Sequence, residues 1–283
     1  MLTVESEREL RQKIGAWRSD GDTIGFVPTM GALHAGHLAL VRRARELAER
    51  VVVSIFVNPT QFGPGEDFKE YPRPLERDAE LLADEGCDLL FLPDASVVYP
   101  EGHSTYVDPL GPAEGLEGDH RPGHFRGVAT VVSQLFNLVQ PDLAVFGEKD
   151  AQQLAVIRRL VDDLHLPVEI LGHPTVREED GLALSSRNGY LSADERRAAG
   201  VLHRALREGS RLIDQGERSA NTVRAAMRDL IEAEPLAGID YVEVVDGHTF
   251  QPIELIHGHV ALPLAVRIGT TRLIDNVQLE VSD

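Results

Sequence analysis

Cysteine occurs once in the 283 residues, as Cys87. One thiol can form neither an intrachain disulfide nor a cysteine-based zinc site, so Cys87 is expected as a small buried apolar residue. Long apolar runs are missing too. No stretch approaches the roughly 20 residues that a membrane-spanning helix needs. The opening MLTVESERELRQKIG is charged and interrupted, so no signal peptide is expected there, and the expected compartment is cytoplasmic. Positive charge is scarce: Lys and Arg number 28 against 46 Asp and Glu, a formal net charge of −18. Such a surface repels nucleic acid and anionic membrane, so neither is expected as a partner. A small anionic substrate held by a few local cations remains compatible with it. Two familiar nucleotide signatures are also absent. There is no G-x-x-x-x-G-K-[ST], and no G-x-G-x-x-G follows the first apolar run. A nucleotide bound here needs a different device.

What is present is the ordinary make-up of a globular chain, 42% hydrophobic and 26% charged, long enough for one large α/β unit or two modest domains. Strand and helix signals alternate. Apolar runs at 23–28, 51–57, 88–93, 142–147 and 167–176 read as strands. Helical spacing marks 36–50, 75–85, 127–140 and 150–165. Repeated strand–helix–strand units imply an α/β, Rossmann-like doubly wound parallel sheet covered on both faces. Such sheets bind ligands at the carboxyl ends of their strands, which places 28–37, 58–61 and 147–150 on one rim. The composition turns polar after Val176. Helical patterns follow at 193–215 and 220–234, and then DYVEVVD and HVALPLAVRIG alternate like an antiparallel pair. Residues 1–176 are expected to form the Rossmann-like domain, and 177–283 a smaller C-terminal α+β domain.

The segment FVPTMGALHAGHLAL, residues 26–40, supplies the device. A helix starting near Gly36 presents free N–H groups and a positive dipole end, which favour a phosphate. Gly31 and Gly36 remove side chains where a ligand comes close. His34 and His37, one turn apart, can both donate to phosphate oxygens. The alternative is one histidine as a helix cap and the other packed under a loop. A second cationic cluster is LALSSRN, with Ser185, Ser186 and Arg187, which suits a triphosphate but is also an ordinary turn. In FGEKDAQQL, Lys149 stands at a strand end, as a phosphate ligand or a solvated charge. Asp150 is a natural N-cap, and Gln153 lies one helical turn past Lys149.

HAGH resembles the His-x-Gly-His signature of the nucleotidyltransferase superfamily, which shares its fold with class I aminoacyl-tRNA synthetases. SSRN sits where that group keeps a mobile phosphate-binding motif. Within the superfamily, PTMGALHAGH, FVNPTQF, HFRGVATVV, FGEKDAQQL and DGLALSSRNGYL together resemble the pantothenate synthetase (pantoate–β-alanine ligase) family over essentially the whole chain. The resemblance implies an ATP-dependent condensation of pantoate with β-alanine through pantoyl adenylate, releasing pyrophosphate and AMP. It implies an ATP site at Met30, Gly31, Ala32, Leu33, His34, Ala35, Gly36 and His37, with His37 as proton donor. Lys149 would neutralise phosphate charge, and Leu184, Ser185, Ser186 and Arg187 would close over the phosphates. Gly147, Glu148, Lys149, Asp150 and the backbone of Val176 would hold adenosine. Gln61 and Gln153 would bind pantoate, with Met30 and His124 lining that pocket and Gln61 also near β-alanine. Mg2+ is implied with ATP, next to Asp78, whose alternative is a solvated helix charge. The family often has a second acid just before it, where this chain has Arg77. A homodimer is implied by the family alone.

Rival expectations are another nucleotidyltransferase, whose product keeps the nucleotide, and a non-catalytic nucleotide-binding protein. A synthetase-like tRNA binder fits poorly with the net charge of −18.

Overall fold

A computed structural model describes residues 1–282. The chain begins with β1 (Leu2–Val4), α1 (Glu7–Asp20), β2 (Ile24–Thr29), α2 (Ala35–Leu47) and β3 (Arg50–Ile55). It continues through α3 (Leu75–Asp84), β4 (Leu89–Phe91), the short α4 (Ala95–Val98) and α5 (Glu117–His120), then α6 (His124–Val139), β5 (Leu143–Gly147), α7 (Ala151–Asp163) and β6 (Glu169–His173). The C-terminal part holds α8 (Ala193–Asp214), α9 (Ala220–Glu232), β7 (Ala237–Val242), β8 (Val245–Asp246), β9 (Gly258–Ala261), β10 (Leu264–Ile268), β11 (Thr271–Asp275) and β12 (Gln278–Val281).

These elements form two compact units. The first comprises Met1–Pro109, Arg121–Glu148 and Val156–Pro174; the second comprises Leu110–His120, Lys149–Ala155 and Thr175–Asp283.

In the first unit six strands form one parallel sheet in the order β1-β4-β3-β2-β5-β6. From β2 the chain steps outward through β3 to β4, then returns to the other side of β2 for β5 and β6. The switch point therefore lies between β2 and β5, where doubly wound sheets leave a crevice at their carboxyl ends. The strands are apolar on both faces because both are covered. Val27, Val51, Val53 and Val145 pack with Val41 and Ala44 of α2. On the opposite face Phe26 meets Phe136 of α6 edge-on, with ring centroids 6.3 Å apart. Burying each such side chain contributes about 1.5–3 kcal/mol. Cys87 is buried in the same core, as expected, and burial pushes its thiol pKa up to about 12. The N-terminal 22 residues carry no element in the pattern above, yet hold β1 and α1. Leu10, Ile14 and Trp17 give α1 its buried stripe, between a Ser6 N-cap and a left-handed Gly21.

In the second unit α8 and α9 pack on antiparallel strands through Leu202, Leu206, Val223, Met227, Val260, Leu264 and Val266. The expected single pair is in fact two sheets, β11-β10-β7 and β12-β9-β8. HVALPLAVRIG divides at Pro263 into β9 and β10, one in each sheet, since proline has no N–H to continue a ladder. DYVEVVD divides likewise into β7 and β8. No helix among the described residues is long and apolar enough to cross a membrane.

Candidate active site

The β2–α2 junction sits at the switch point of the first unit. Strand β2 ends at Thr29, and the chain turns through Met30, Gly31 and Ala32 before α2 begins at Ala35. Gly31 has φ of +81°, and a Cβ there would lie 2.9 Å from Ile55 Cγ2 and 3.1 Å from Asp78 Oδ2. Glycine is therefore required both for its backbone conformation and for its neighbours. Ala32 follows with φ of 52°, the left-handed region that alanine rarely adopts. The strain is held by Asp78. Its carboxylate is 1% exposed and accepts from Ala32 N at 2.7 Å and Leu33 N at 2.9 Å. Asp78, reached from α3, is thus an anchor for the loop rather than a solvated helix charge.

His34 is the N-cap of α2. Its Nδ1 accepts from Gly36 N at 3.2 Å, and His37 Nδ1 accepts from His34 N at 3.4 Å, a reciprocal capping box made of two imidazoles. The rings lie 4.1 Å apart, tilted by 33°. An Nδ1 that accepts a backbone N–H carries no hydrogen, so the ring hydrogen belongs on Nε2 of both residues. The two sequence alternatives, cap and phosphate donor, are therefore compatible. One nitrogen of each ring builds the helix start, and the other carries the ring hydrogen.

Gln61 lies at the carboxyl end of β3, in a 3-10 turn, Pro59–Gln61. Its amide is oriented by Asn58, a residue of the same motif that no sequence signal singles out. Asn58 is fully buried and donates from Nδ2 to Gln61 Oε1 at 2.9 Å and to Gly127 O at 3.1 Å. Its own Oδ1 accepts from Tyr99 at 2.8 Å. With Oε1 engaged, the group that Gln61 presents is its Nε2, a donor. Gly127 of α6 backs this turn so closely that a Cβ would overlap Thr60 O and stand 2.9 Å from Gln61 N. His124 Nδ1 meets Gln61 O at 2.9 Å, and its Nε2 meets Arg121 Nη1 at 3.2 Å. A carbonyl only accepts and a guanidinium only donates, so the proton sits on Nδ1 and both nitrogens serve the protein. Arg121 also pairs with Glu66 at 2.7 Å. Burial, the largest influence on the Glu66 carboxyl, pushes its pKa up; the hydrogen bond and charge of Arg121, with His124 and the main chain of Gly63, together hold the group below its usual range.

Gly147 ends β5, and Glu148 begins a 3-10 turn, Glu148–Asp150. The other expected residues belong to the second unit. Lys149 is in that turn, its Nζ 4.0 Å from Asp150. Gln153 is half-buried, whereas the adjacent Gln152 is spent on Glu117 N and the carbonyls of Pro112 and Gly115. Val176 O accepts from Leu184 N at 3.0 Å, opening a hairpin that runs straight into Ser185, Ser186 and Arg187. Ser185 caps a 3-10 turn, Ser186–Tyr190, by accepting from Arg187 N at 3.2 Å. Thus Met30 to His37, Gln61, Asp78, His124, Gly147 and Glu148 fall in the first unit, and Lys149, Asp150, Gln153, Val176 and Leu184 to Arg187 in the second.

No group of three or more His, Cys, Asp or Glu among the described residues could hold a metal ion. Near the loop, Asp78 already receives two N–H groups. This donor set fits a magnesium carried chiefly by phosphate oxygens, as that ion usually is with nucleotides, and not a protein-built cage.

The model of the pantoate-beta-alanine ligase family matches residues 2–278. A pantothenate synthetase of Heliobacterium modesticaldum is 58% identical over 99% of this chain and 100% of its own length. The crystal structure of pantothenate synthetase from Thermus thermophilus superposes with a TM-score of 0.93 at 51% identity, covering 100% of both chains. A pantoate-beta-alanine ligase from Francisella tularensis, crystallised with beta-gamma ATP and beta-alanine, gives 0.80 at 34% identity, over 98% of this chain and 97% of that one. With these likenesses spanning the whole chain, this protein belongs to the pantoate–β-alanine ligase family.

Proposed function

We infer that this chain condenses pantoate with β-alanine at the expense of ATP. The pantoate carboxylate attacks the α-phosphorus and pyrophosphate leaves. The amine of β-alanine then attacks the acyl carbon of pantoyl adenylate, loses a proton, and AMP departs. A free carboxylate is a poor acyl donor because its leaving group would be oxide; the adenylate supplies a stable one. The observation that carries this reading is the β2–α2 junction. Two Nε2–H donors stand beside a helix N-terminus, at the crevice where such sheets hold ligands.

His34 and His37 would donate to phosphate oxygens as charge builds on them, and His37 is the assigned proton donor. Met30, Gly31, Ala32, Leu33, Ala35 and Gly36 would line the ATP site. Lys149 would neutralise phosphate charge, and Leu184, Ser185, Ser186 and Arg187 would cover it. Gly147, Glu148, Asp150 and Val176 would contact adenosine. Gln61, presenting Nε2–H, suits the carboxylate or a hydroxyl oxygen of pantoate, together with Gln153. His124 contributes by fixing the main chain of Gln61. Magnesium would enter on the ATP phosphates beside Asp78, supplying charge neutralisation. The homodimer rests on the family resemblance alone.

The test is pyrophosphate release from ATP and pantoate, with and without β-alanine. Pyrophosphate and AMP are expected, with adenylate held until β-alanine is added. ADP and phosphate, or a product that keeps the nucleotide, would overturn the reading.

A further inference from the structure

The dipeptide Asp275–Asn276, at the end of β11, is buried and charged, and no role above uses it. Asp275 is 2% exposed and Asn276 5%. Asp275 forms a two-pronged ion pair with Arg177, Oδ2 to Nη1 at 2.6 Å and Oδ1 to Nη2 at 2.9 Å. Arg177 Nη2 also donates to Asn276 O at 3.2 Å, and Nη1 to Gly181 O at 3.0 Å. Arg177 lies in the hairpin that carries Ser185 to Arg187: it bridges Ala183, and Leu184 N donates to Val176 O. Asn188, on the far side of the serines, returns to the same hairpin through Ala183 O at 3.1 Å. In the other direction, Asn276 Nδ2 donates to the main-chain oxygen of Lys149 at 2.9 Å. All these residues belong to the second unit.

We propose that Asp275–Asn276 is a positioning pair that fixes the distance between the Lys149 turn and the Ser185–Arg187 turn, and so sets the two second-unit cations at the spacing that one polyphosphate requires. Residues 177–188 are polar, and within them Leu182 and Ala183 are the buried hydrophobic residues, so apolar packing alone gives this stretch little hold. A guanidinium–carboxylate fork is directional where apolar contact is not. Lys149 sits in a 3-10 turn, whose hydrogen-bond geometry is poorer than that of an α-helix. A side-chain donor on its carbonyl supplies the missing restraint. The pair touches no proposed substrate atom; it acts through the residues it holds.

This inference rests on the proposed roles of Lys149 and Arg187, so Lys149→Ala and Arg187→Ala are measured alongside. Asn276→Leu keeps about the same size but removes the donor, and Asn276→Ala removes both. Each is expected to lower kcat for pyrophosphate release by about 10²-fold, the scale of a roughly 1 Å misplacement. The KM for pantoate and the Tm should stay close to the parent's. Arg177→Met with Asp275→Leu removes the fork without leaving a buried charge alone, and should fold while showing a comparable kcat loss. Parent-like kcat in both Asn276 variants, or a loss that simply follows a fall in Tm, overturns the proposal. If Lys149→Ala and Arg187→Ala are themselves harmless, the assignment of the two cations fails, a result distinct from failure of the positioning pair.

Discussion

In the first unit the proposed phosphate loop is made by main-chain geometry: a strand end, a glycine at φ of +81°, and a helix start capped by its own two histidines. In the second unit the corresponding groups are held by side chains reaching across sequence, Arg177 to Asp275 and Asn276 to Lys149, 98 and 127 residues apart. Apart from Asp78, 46 residues on from Ala32, the first arrangement is local, so most of its parts must occur together in sequence. The second is assembled only by folding. The two should therefore fail differently. Loss of a loop histidine should appear in chemistry with the fold retained, a break in the Arg177–Asp275 fork on one side only should appear in stability, and loss of the Asn276 donor in geometry alone.

The largest effect is expected from Asp275→Leu alone. It strands Arg177 beside a buried apolar residue and should cost about 3–5 kcal/mol of unfolding free energy, most of it recovered when Arg177→Met is added. Denaturant titration of single and double variants measures this; equal stabilities would show that the fork is not a structural clamp. Next is His37→Ala, expected to lower adenylate formation by about 2.7–4 kcal/mol of transition-state stabilisation, with the circular dichroism spectrum unchanged. Near-normal turnover in the folded variant would remove His37 from the chemistry. Asp78→Asn should cost about 1–3 kcal/mol, because the amide can accept one of the two loop N–H groups but sets its own donors against the other. That loss should appear in urea without magnesium. If the only change is a raised magnesium requirement, Asp78 is a metal neighbour and not an anchor.

The smallest effect concerns acid. The Asp180 carboxyl lies below its ordinary range because Arg196 donates to it. A depressed folded value means the clamp on the 177–188 hairpin is present above the ordinary aspartate range and is lost as pH falls through the lower folded value. Proteolysis within 180–188 should be faster in Arg196→Gln than in the parent near neutrality, and the difference should vanish in acid. ATP with magnesium should slow cleavage in both, as a loop closing over ligand would.

The parallel sheet was legible because buried strands leave uninterrupted runs such as VVVSIFV, and the amphipathic helices because their stripes recur at helical spacing. Strand β1, three residues long, leaves almost no pattern, and α1 shows Leu10, Ile14 and Trp17 only to a reader already looking for period. The two-sheet division of the second unit turns on Pro263, which an alternating run conceals. At the candidate site, His34 and His37 were readable from spacing. Asn58 was not, since its importance lies in which atom of Gln61 it occupies. Asp275 and Asn276 were not either, since nothing near them in sequence hints at Arg177 or Lys149.

Gly127 has a consequence for anyone re-engineering the proposed pantoate pocket beside Gln61. With its Cα side pressed on Thr60 and Gln61 main chain, there is no room for even a methyl group. The main chain behind Gln61 therefore cannot be padded by substitution at that position without moving. If Gln61 binds pantoate as proposed, a pocket for a bulkier or smaller hydroxy acid would have to be carved from other side chains, with the α6 seam kept as a fixed datum from which those changes are measured.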